Sequence, residues 1–387
     1  MYPKFYFEYP IDWIKDNKQY QIIFIQNIIK SCLELEAELT CMPTSFPSYG
    51  IKRLTPQDLL ISFHSFENPE NVLSYKEAPI NGLFSFDKTG YAGWSDIVKN
   101  FDQHKDNIDK ISINDADKTI QHYKKQLLSG DSKHPQIVDN TPLPDNYILF
   151  PLQVRTDSVA IHANLDMIEV IQFISILAKK YKKNIVVKTH PYCNSEAVKS
   201  IQFIETENNP YFYSSNAHII KLIENADKVL ACNSGASLEA LILGKDVYCF
   251  GQSEWYEITN KIESLEILEN IFKLPTKKEL NHFQKKYIAY LLKYYWIKYD
   301  DITSIKNILI KFKTPLGKLP NNHDLYSELT QNLLTKQIDL AEREKKIEII
   351  EKDFIYMQKI LNYFRRRPWK VIKYYILSRI HKLRKKQ

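Results

Sequence analysis

Two periods of apolar residues run through this chain, and the places where one gives way to the other divide it. From residue 147 onward, short apolar runs have the length and the β-branched or aromatic content of buried strands: Tyr147 to Leu152, Asn184 to Lys188, Tyr211 to Ser214, Val229 to Cys232 and Asp246 to Phe250. Between them apolar residues recur at helical spacing, which predicts helices at Met167 to Tyr181, near Glu196 to Glu205, at Ala217 to Asn225 and at Ala236 to Leu243. Strands alternating with helices imply a parallel sheet joined by right-handed crossovers. Upstream the pattern is less regular but of the same α/β class. Ile22, Ile25, Ile28, Ile29, Leu33 and Leu35 mark a helix over Tyr20 to Leu39, Leu59 to Phe63 and Gly82 to Phe86 read as strands, and 105–128 reads as a polar helix. Between the two regions, SGDSKHPQIVDNTPLPDN carries the turn-forming residues of a linker.

Past residue 322 a third period takes over. Leu333, Leu340, Ile347, Phe354 and Leu361 are spaced by sevens, and Ile350, Met357 and Phe364 join them three residues on, although Lys336 and Arg343 interrupt the earlier half. A helix with this seam either pairs with another chain or packs back on the body. Pro368 should break or restart it. Beyond it Trp369, Val371, Ile372, Tyr375, Ile376, Ile380 and Leu383 can form one apolar face, bordered by Lys370, Lys373, Arg379, Lys382 and Arg384. A basic amphipathic helix of this kind suits an anionic membrane interface, the bland alternative being a solvated tail or one that holds nucleic acid without specificity. The expected organisation is therefore an α/β domain at 1–130, a linker at 131–146, a second α/β domain at 147–321, a heptad segment at 322–364 that could form a homo-oligomer, and a membrane-associating tail at 365–387.

Charge and cysteine content narrow the function. The formal charge of +7 comes from the tail, because residues 365–387 hold ten Lys or Arg and no Asp or Glu, leaving 43 basic and 46 acidic side chains elsewhere. A basic excess confined to one terminus argues against a specific nucleic-acid binder, which spreads basic residues over a folded face. The five cysteines, Cys32, Cys41, Cys193, Cys232 and Cys249, lack zinc-ligand or C-x-x-C spacing and read as buried free thiols of a reducing compartment. Residues MYPKFYFEYPIDW lack the basic region and apolar core of a signal peptide, and no run approaches the ~18 apolar residues of a membrane span. The expected location is cytosolic, free or held on a membrane from the cytosolic side.

Candidate chemistry sits in loops that follow strands, where open α/β sheets bind ligands. In the second domain these are Gln153 to Ser158, Thr189 to Tyr192 and Asn233 to Gly235, all expected at one sheet edge. Asn233, Ser234 and Gly235 form a small-residue turn into a helix, so backbone N–H groups are available to an anion, and Glu239 one turn later can accept hydrogen bonds from ribose hydroxyls. The plainer reading is a buried crossover with a chance Glu. In the first domain Asp87 ends a strand, followed by Gly90, Gly93, Trp94 and Ser95, and Ser95 can cap a helix beginning at Asp96. Alternatively, Asp87 merely caps a turn.

Read together, FDKTGYAGWS, PLQVRTDS, THP and NSGASLEALILGKDVYCFGQ resemble the bacterial capsule polysaccharide biosynthesis proteins, and within them the retaining β-Kdo glycosyltransferases that use CMP-Kdo. The resemblance spans about residues 76–255, with Asp246 standing where the family often has Pro. It implies a GT-B-like architecture of two Rossmann-like domains with a central cleft. It further implies that CMP is held through Ser234, Gly235 and Glu239, with His190 and Gln153 nearby, and that Asp87 is the nucleophile of a double displacement. His190, Lys188 and the turn amides would stabilise the leaving phosphate, which His190 could also protonate. Arg155 and Lys88 are candidates for the Kdo carboxylate, and Asp157 for the acceptor hydroxyl or for a loop. A single leaving phosphate and the lack of an Asp-x-Asp motif point to no metal and no cofactor. The partners so implied are CMP-Kdo, a glycan or glycolipid acceptor and the inner-membrane surface of a Gram-negative bacterium, in capsule or lipopolysaccharide synthesis. The alternatives are a GT-B transferase with another nucleotide sugar, or a membrane-recruited scaffold without activity.

Overall fold

A computed structural model of the chain describes residues 4–44, 58–68, 70–130, 142–277, 279–313 and 346–366. The chain divides into two compact units. One comprises Met1–Lys125, Ser253–Trp255 and Asn281–Gln337, the other Gln126–Gln252, Tyr256–Leu280 and Ile338–Gln387.

In the first unit, strands β1 (Lys4–Pro10), β2 (Glu38–Thr44), β3 (Asp58–Phe63), β4 (Val72–Glu77) and β5 (Leu83–Asp87) join a short strand at Ile297–Lys298. The sheet order is Ile297–Lys298, β5, β4, β3, β1, β2. The pairs β1–β2, β1–β3 and β3–β4 are parallel, whereas β5 runs antiparallel to β4 and to Ile297–Lys298. All six residues of β3 are buried, as befits a central strand covered on both faces. Helix Gln19–Glu34 packs Phe24 flat on Phe84, ring centroids 3.9 Å apart, and Trp13 and Tyr75 complete an aromatic core.

Three expectations change here. The first helix ends at Glu34 and not at Leu39, because Glu36 turns left-handed (φ 54°) while Ala37 N–H donates to the Cys32 carbonyl, sending the chain into β2. Nothing in the residue type at 36 announces that stop. The polar helix expected at 105–128 is two, Phe101–Asp109 and Ile113–Leu128, with the Ser112 hydroxyl accepting from Asp115 N–H at the second start. Finally, the chain after residue 281 does not stay with the second unit. Ile297 pairs with Phe84, and helix Ile302–Lys313 lays Ile305 and Leu309 into the first core, so those apolar residues are buried only by returning.

The second unit has strands β6 (Tyr147–Pro151), β7 (Asn184–Lys188), β8 (Phe212–Ser214), β9 (Ala226–Ala231), β10 (Asp246–Cys249) and β11 (Asn260–Lys261). Every pairing is parallel, in the order β11-β10-β9-β6-β7-β8. Helix Met167–Tyr181 starts where Asp166 accepts from Ile168 and Glu169 N–H and stops at left-handed Lys182. A helix at 346–365 also belongs to this unit, with Tyr356 and Met357 packed on its core and Ile360 buried. Leu333, Leu340 and the residues from 367 onward lie outside the described residues, as does the linker at 131–141. Four cysteines are buried and Cys41 is exposed. Among the described residues no helix is long and apolar enough to cross a membrane.

Candidate functional site

The three loops of the second unit do share an edge, because β9, β6 and β7 are neighbours and parallel. Gln153 Nε2 donates to Asn233 Oδ1 at 3.2 Å, bridging the loops after β6 and β9. Asn233 Nδ2 in turn holds the carbonyls of Val159 (2.7 Å) and Gln252 (3.2 Å). Gln153 and Asn233 are thus buried braces that fix the turn. Helix Gly235–Ile242 begins on that turn with Ser234 as its N-cap, and the Ser234 hydroxyl makes no capping bond. The first-turn N–H groups therefore present a positive end that no side-chain cap satisfies. Glu239 is buried one turn further in.

His190, after β7, accepts from Tyr192 N–H at Nδ1 (3.2 Å), which places the proton of the neutral ring on Nε2 and makes that nitrogen a donor. Other candidates are committed elsewhere. Lys188 Nζ donates to the Asn216 and Ala217 carbonyls at 3.2 and 2.8 Å, strapping β7 to the loop after β8. Asp157 caps the short helix Ser158–His162. Arg155 is buried in ion pairs with Asp166 (2.8 Å) and Asp353, so the C-terminal helix occupies the guanidinium that a sugar carboxylate was expected to meet. Sequence reasoning missed His218 on this edge. It caps helix Ile219–Asn225, and burial, aided by the Lys188 and Lys221 charges, lowers its pKa.

In the first unit Asp87 ends β5 and is 6% exposed. Five donors converge on its carboxylate: Thr89 N–H (2.7 Å), Thr89 Oγ1 (3.0 Å) and Gly90 N–H (3.2 Å) on Oδ1, and Asp96 N–H (3.0 Å) and the Tyr295 hydroxyl on Oδ2. Helix Asp96–Lys99 starts where expected, but Ser95 does not cap it. The Ser95 hydroxyl donates to the Ala92 carbonyl at 2.7 Å, and Asp87 takes the capping role. Gly90 makes the loop possible: it has φ 150°, and a Cβ there would lie 2.9 Å from the Cβ atoms of Phe66 and Trp94.

A second layer of polar groups supports the clamp. Tyr295 also accepts from Ile97 N–H at 3.0 Å, and burial, together with the Asp87 charge, holds its phenol protonated far above the ordinary range. His104 bridges Asp96 Oδ2 (3.0 Å) and the Tyr290 hydroxyl (2.8 Å). Burial would raise the Asp96 carboxyl, but hydrogen bonds from Asn100 and His104 and the Lys88 charge at 3.6 Å outweigh it, and its pKa is lowered. Glu254 accepts from Ala92 N–H at 3.0 Å, and burial raises its pKa, with the Asp87 charge adding to the effect. Of this group only Asp87 and Lys88 were legible beforehand. Tyr290, Tyr295 and Glu254 come from segments the sequence pattern assigned to the second domain.

Two α/β units with mostly parallel sheets, one with a helix start that lacks a side-chain cap and the other with a clamped carboxylate, make a GT-B-like, Rossmann-type protein. The family model "capsule polysaccharide biosynthesis protein" matches residues 101–301. The chain belongs to that family. Among solved structures it is similar to KpsC of Thermosulfurimonas dismutans, described as a β-Kdo 2,7 transferase, at 17% identity over 79% of this chain and 99% of that one (TM-score 0.43). A β-Kdo 2,4 transferase of the same organism matches at 13% identity over 73% and 95% (TM-score 0.45). UDP-GlcNAc 2-epimerase of Methanocaldococcus jannaschii matches at 12% over 76% and 100% (TM-score 0.32). No curated protein sequence matches the chain.

Proposed function

We propose that this protein is a retaining glycosyltransferase of capsule polysaccharide synthesis that moves Kdo from CMP-β-Kdo to a glycan or glycolipid acceptor. The observation that carries the reading is the braced turn Asn233 to Gly235, whose helix start lacks a side-chain cap and has Glu239 one turn in, within a chain of the capsule family. In this reading the phosphate of CMP rests on the first-turn N–H groups, Glu239 accepts from the ribose, and His190 Nε2–H donates to the leaving phosphate. Asp87 bonds to the anomeric carbon as the bond from that carbon to the phosphate oxygen breaks, the electron pair leaving with CMP. The acceptor hydroxyl then displaces Asp87, its proton passing to a base, and two inversions give retention. One leaving phosphate is served by these donors without a divalent ion. With Arg155 paired to Asp166 and Asp353, Lys88 is the stronger candidate for the Kdo carboxylate. The tail at 365–387 would hold the enzyme on the cytoplasmic face of the inner membrane.

The five donors on Asp87 favour a second reading, in which Asp87 only organises its loop and Glu254 is the reacting carboxyl. Incubation with CMP-Kdo, intact mass and peptide mapping separate the two. A Kdo adduct on the Asp87 peptide, absent from Asp87→Ala, is expected; an adduct on the Glu254 peptide selects the second reading. No adduct and no CMP release with a range of acceptors would sink both. In a thermal-shift panel CMP should stabilise the chain more than UDP; the reverse would indicate another donor, and no response to any nucleotide would indicate a scaffold.

A further inference from the structure

The segment that returns to the first unit reaches the Asp87 carboxylate by two routes, and an irregular turn makes both possible. Helix His282–Tyr290 runs on into a π-helical turn, Leu291–Tyr295, closed by Trp296 N–H donating to the Leu291 carbonyl at 2.9 Å. At about 100° per residue, positions five apart on an α-helix lie about 140° from each other. The wider i→i+5 turn brings them back to one side, and the rings of Tyr290 and Tyr295 stand 6.1 Å apart. Both hydroxyls then serve one loop. Tyr295 donates to Asp87 Oδ2 directly. Tyr290 Oη is 2.8 Å from His104 Nδ1, and His104 Nε2 is 3.0 Å from Oδ2 of Asp96, whose own backbone N–H is the other donor on Asp87 Oδ2.

The direction of this second route is fixed by chemistry. Burial, with the Asp96 charge, raises the Tyr290 pKa, so the phenol is a donor, and the ring nitrogen that faces the Asp96 carboxylate must carry a proton. Neutral His104 therefore accepts from Tyr290 at Nδ1 and donates to Asp96 from Nε2. Helix Asp96–Lys99 has no side-chain cap to aim its first N–H. What aims it is the Asp96 carboxylate, held by Asn100 at Oδ1 (2.8 Å) and by His104 at Oδ2. Asn100 follows that helix directly and moves with it, whereas His104 ties Asp96 to Tyr290, 186 residues further along the chain than itself. We propose that His104 is a positioning residue for Asp87: through Asp96 it aims the N–H that holds Oδ2, so that this oxygen keeps its direction when the Tyr295 hydroxyl withdraws. The role rests on the reading of Asp87 as the reacting carboxylate.

The test uses the full chain, labelled with carbon-13 at aspartate carboxyl groups and nitrogen-15 in histidine rings, and the variants His104→Leu, His104→Gln and Tyr290→Phe. The Asp87 carboxyl resonance, identified by its absence from Asp87→Asn, should move in His104→Leu and in Tyr290→Phe. It should stay near its wild-type position in His104→Gln, whose amide can still donate to Asp96. The ring nitrogens of His104 should show the Nε2–H tautomer. With CMP-Kdo, adduct formation on Asp87 should slow about ten- to hundredfold in His104→Leu, and His104→Gln should recover most of the rate, with CMP affinity unchanged in both. Tyr290→Phe added to His104→Leu should cost nothing further, since both cut one line of bonds. Where His104→Leu loses its thermal transition, Tyr290→Phe, which removes one hydroxyl, carries the same prediction. An Asp87 resonance indifferent to both variants, a His104→Gln chain as impaired as His104→Leu, or an Nδ1–H tautomer in the wild type would overturn the proposal. A wild type whose resonances respond as expected but which forms no adduct would uphold the relay and refute the reaction assigned to Asp87.

Discussion

Removing one hydroxyl from the Asp87 clamp measures what the Tyr295 bond contributes to the five-donor arrangement. In Tyr295→Phe the Asp87 Oδ2 loses a hydrogen bond to a charged group and Ile97 N–H loses its acceptor, both in a buried setting. The first loss is worth roughly 1.5–3 kcal/mol and the second adds up to about 1 kcal/mol more where water can partly replace it, so a total of about 2–4 kcal/mol is expected. Asp87→Asn shares the bond to Tyr295 but introduces a second fault, because an amide NH2 then faces donors that need an acceptor. The two variants should therefore fail to add. A double-mutant cycle of Tyr295→Phe and Asp87→Asn should give a coupling of about 1.5–3 kcal/mol. Urea unfolding followed by tryptophan fluorescence is the right assay, since four of the five tryptophans, Trp13, Trp94, Trp255 and Trp296, belong to the first unit. Comparable m-values are required for the comparison. A coupling below about 0.5 kcal/mol, the usual additivity error, would mean that phenol and carboxylate do not share a bond and would refute the clamp.

Two further outcomes follow from the same geometry. Burial makes the folded state hold the Glu254 proton more tightly than the ordinary value of 4.5, so stability should fall as pH rises from that value through the raised one, each tenfold change in proton affinity being worth about 1.4 kcal/mol. Glu254→Gln keeps an acceptor for Ala92 N–H and should flatten that descent in Tm measured against pH; an unchanged slope would show that Glu254 is not its source. Asp353→Ala removes one of the two carboxylates on Arg155, together with its bond from Ser195, and should raise amide exchange across 346–365 by a factor corresponding to about 1–2 kcal/mol, while helix Met167–Tyr181, held by Asp166, stays protected.

The second unit was nearly all legible in the sequence, and the reason is local. Strands β6 to β10 each carry their own apolar run, whereas the two-residue β11 carries none, and helix Met167–Tyr181 and strand Asn184–Lys188 fall where the pattern puts them. Consecutive elements pack on one another, so order along the chain is nearly order in space. The first unit breaks that rule. Strand β1 is a mixture of aromatic and charged residues whose Glu8 is buried against Ser62, and β4 follows a polar loop that masks its start. Its outer neighbour, Ile297–Lys298, is two residues long and comes some two hundred residues later, too short for any periodic signal. The site divides in the same way. Asp87 and the Asn233 turn announced themselves through position after a strand, whereas Tyr295 and Glu254 reach the Asp87 loop only because distant segments return to it. The commitments of Arg155, Lys188 and Asp157 were equally hidden, since a basic or acidic residue in a loop looks the same whether its partner is a ligand, a backbone carbonyl or a helix five turns long.

Saturation of Asp87 also bears on its proposed chemistry. A carboxylate offers about four lone-pair directions, and five donors fill them, so attack on a sugar requires one donor to withdraw. Oδ1 is held by three donors of its own loop, two of them backbone N–H groups that cannot leave without unfolding the turn. Oδ2 is held by Asp96 N–H, which starts a helix, and by the Tyr295 hydroxyl, which a modest side-chain movement can release. In the proposed reaction the attacking oxygen would then be Oδ2. Because Tyr295 stays protonated far above neutral pH, it acts there only as a donor and never as the base for the acceptor. That proton needs another destination, and within the first unit Glu254 has the environment of a group that takes one: a buried carboxyl whose affinity for protons burial has raised. Clamp and base would then be two functions of one loop, with Ala92 N–H tying Glu254 to the same backbone that Asp87 holds in place.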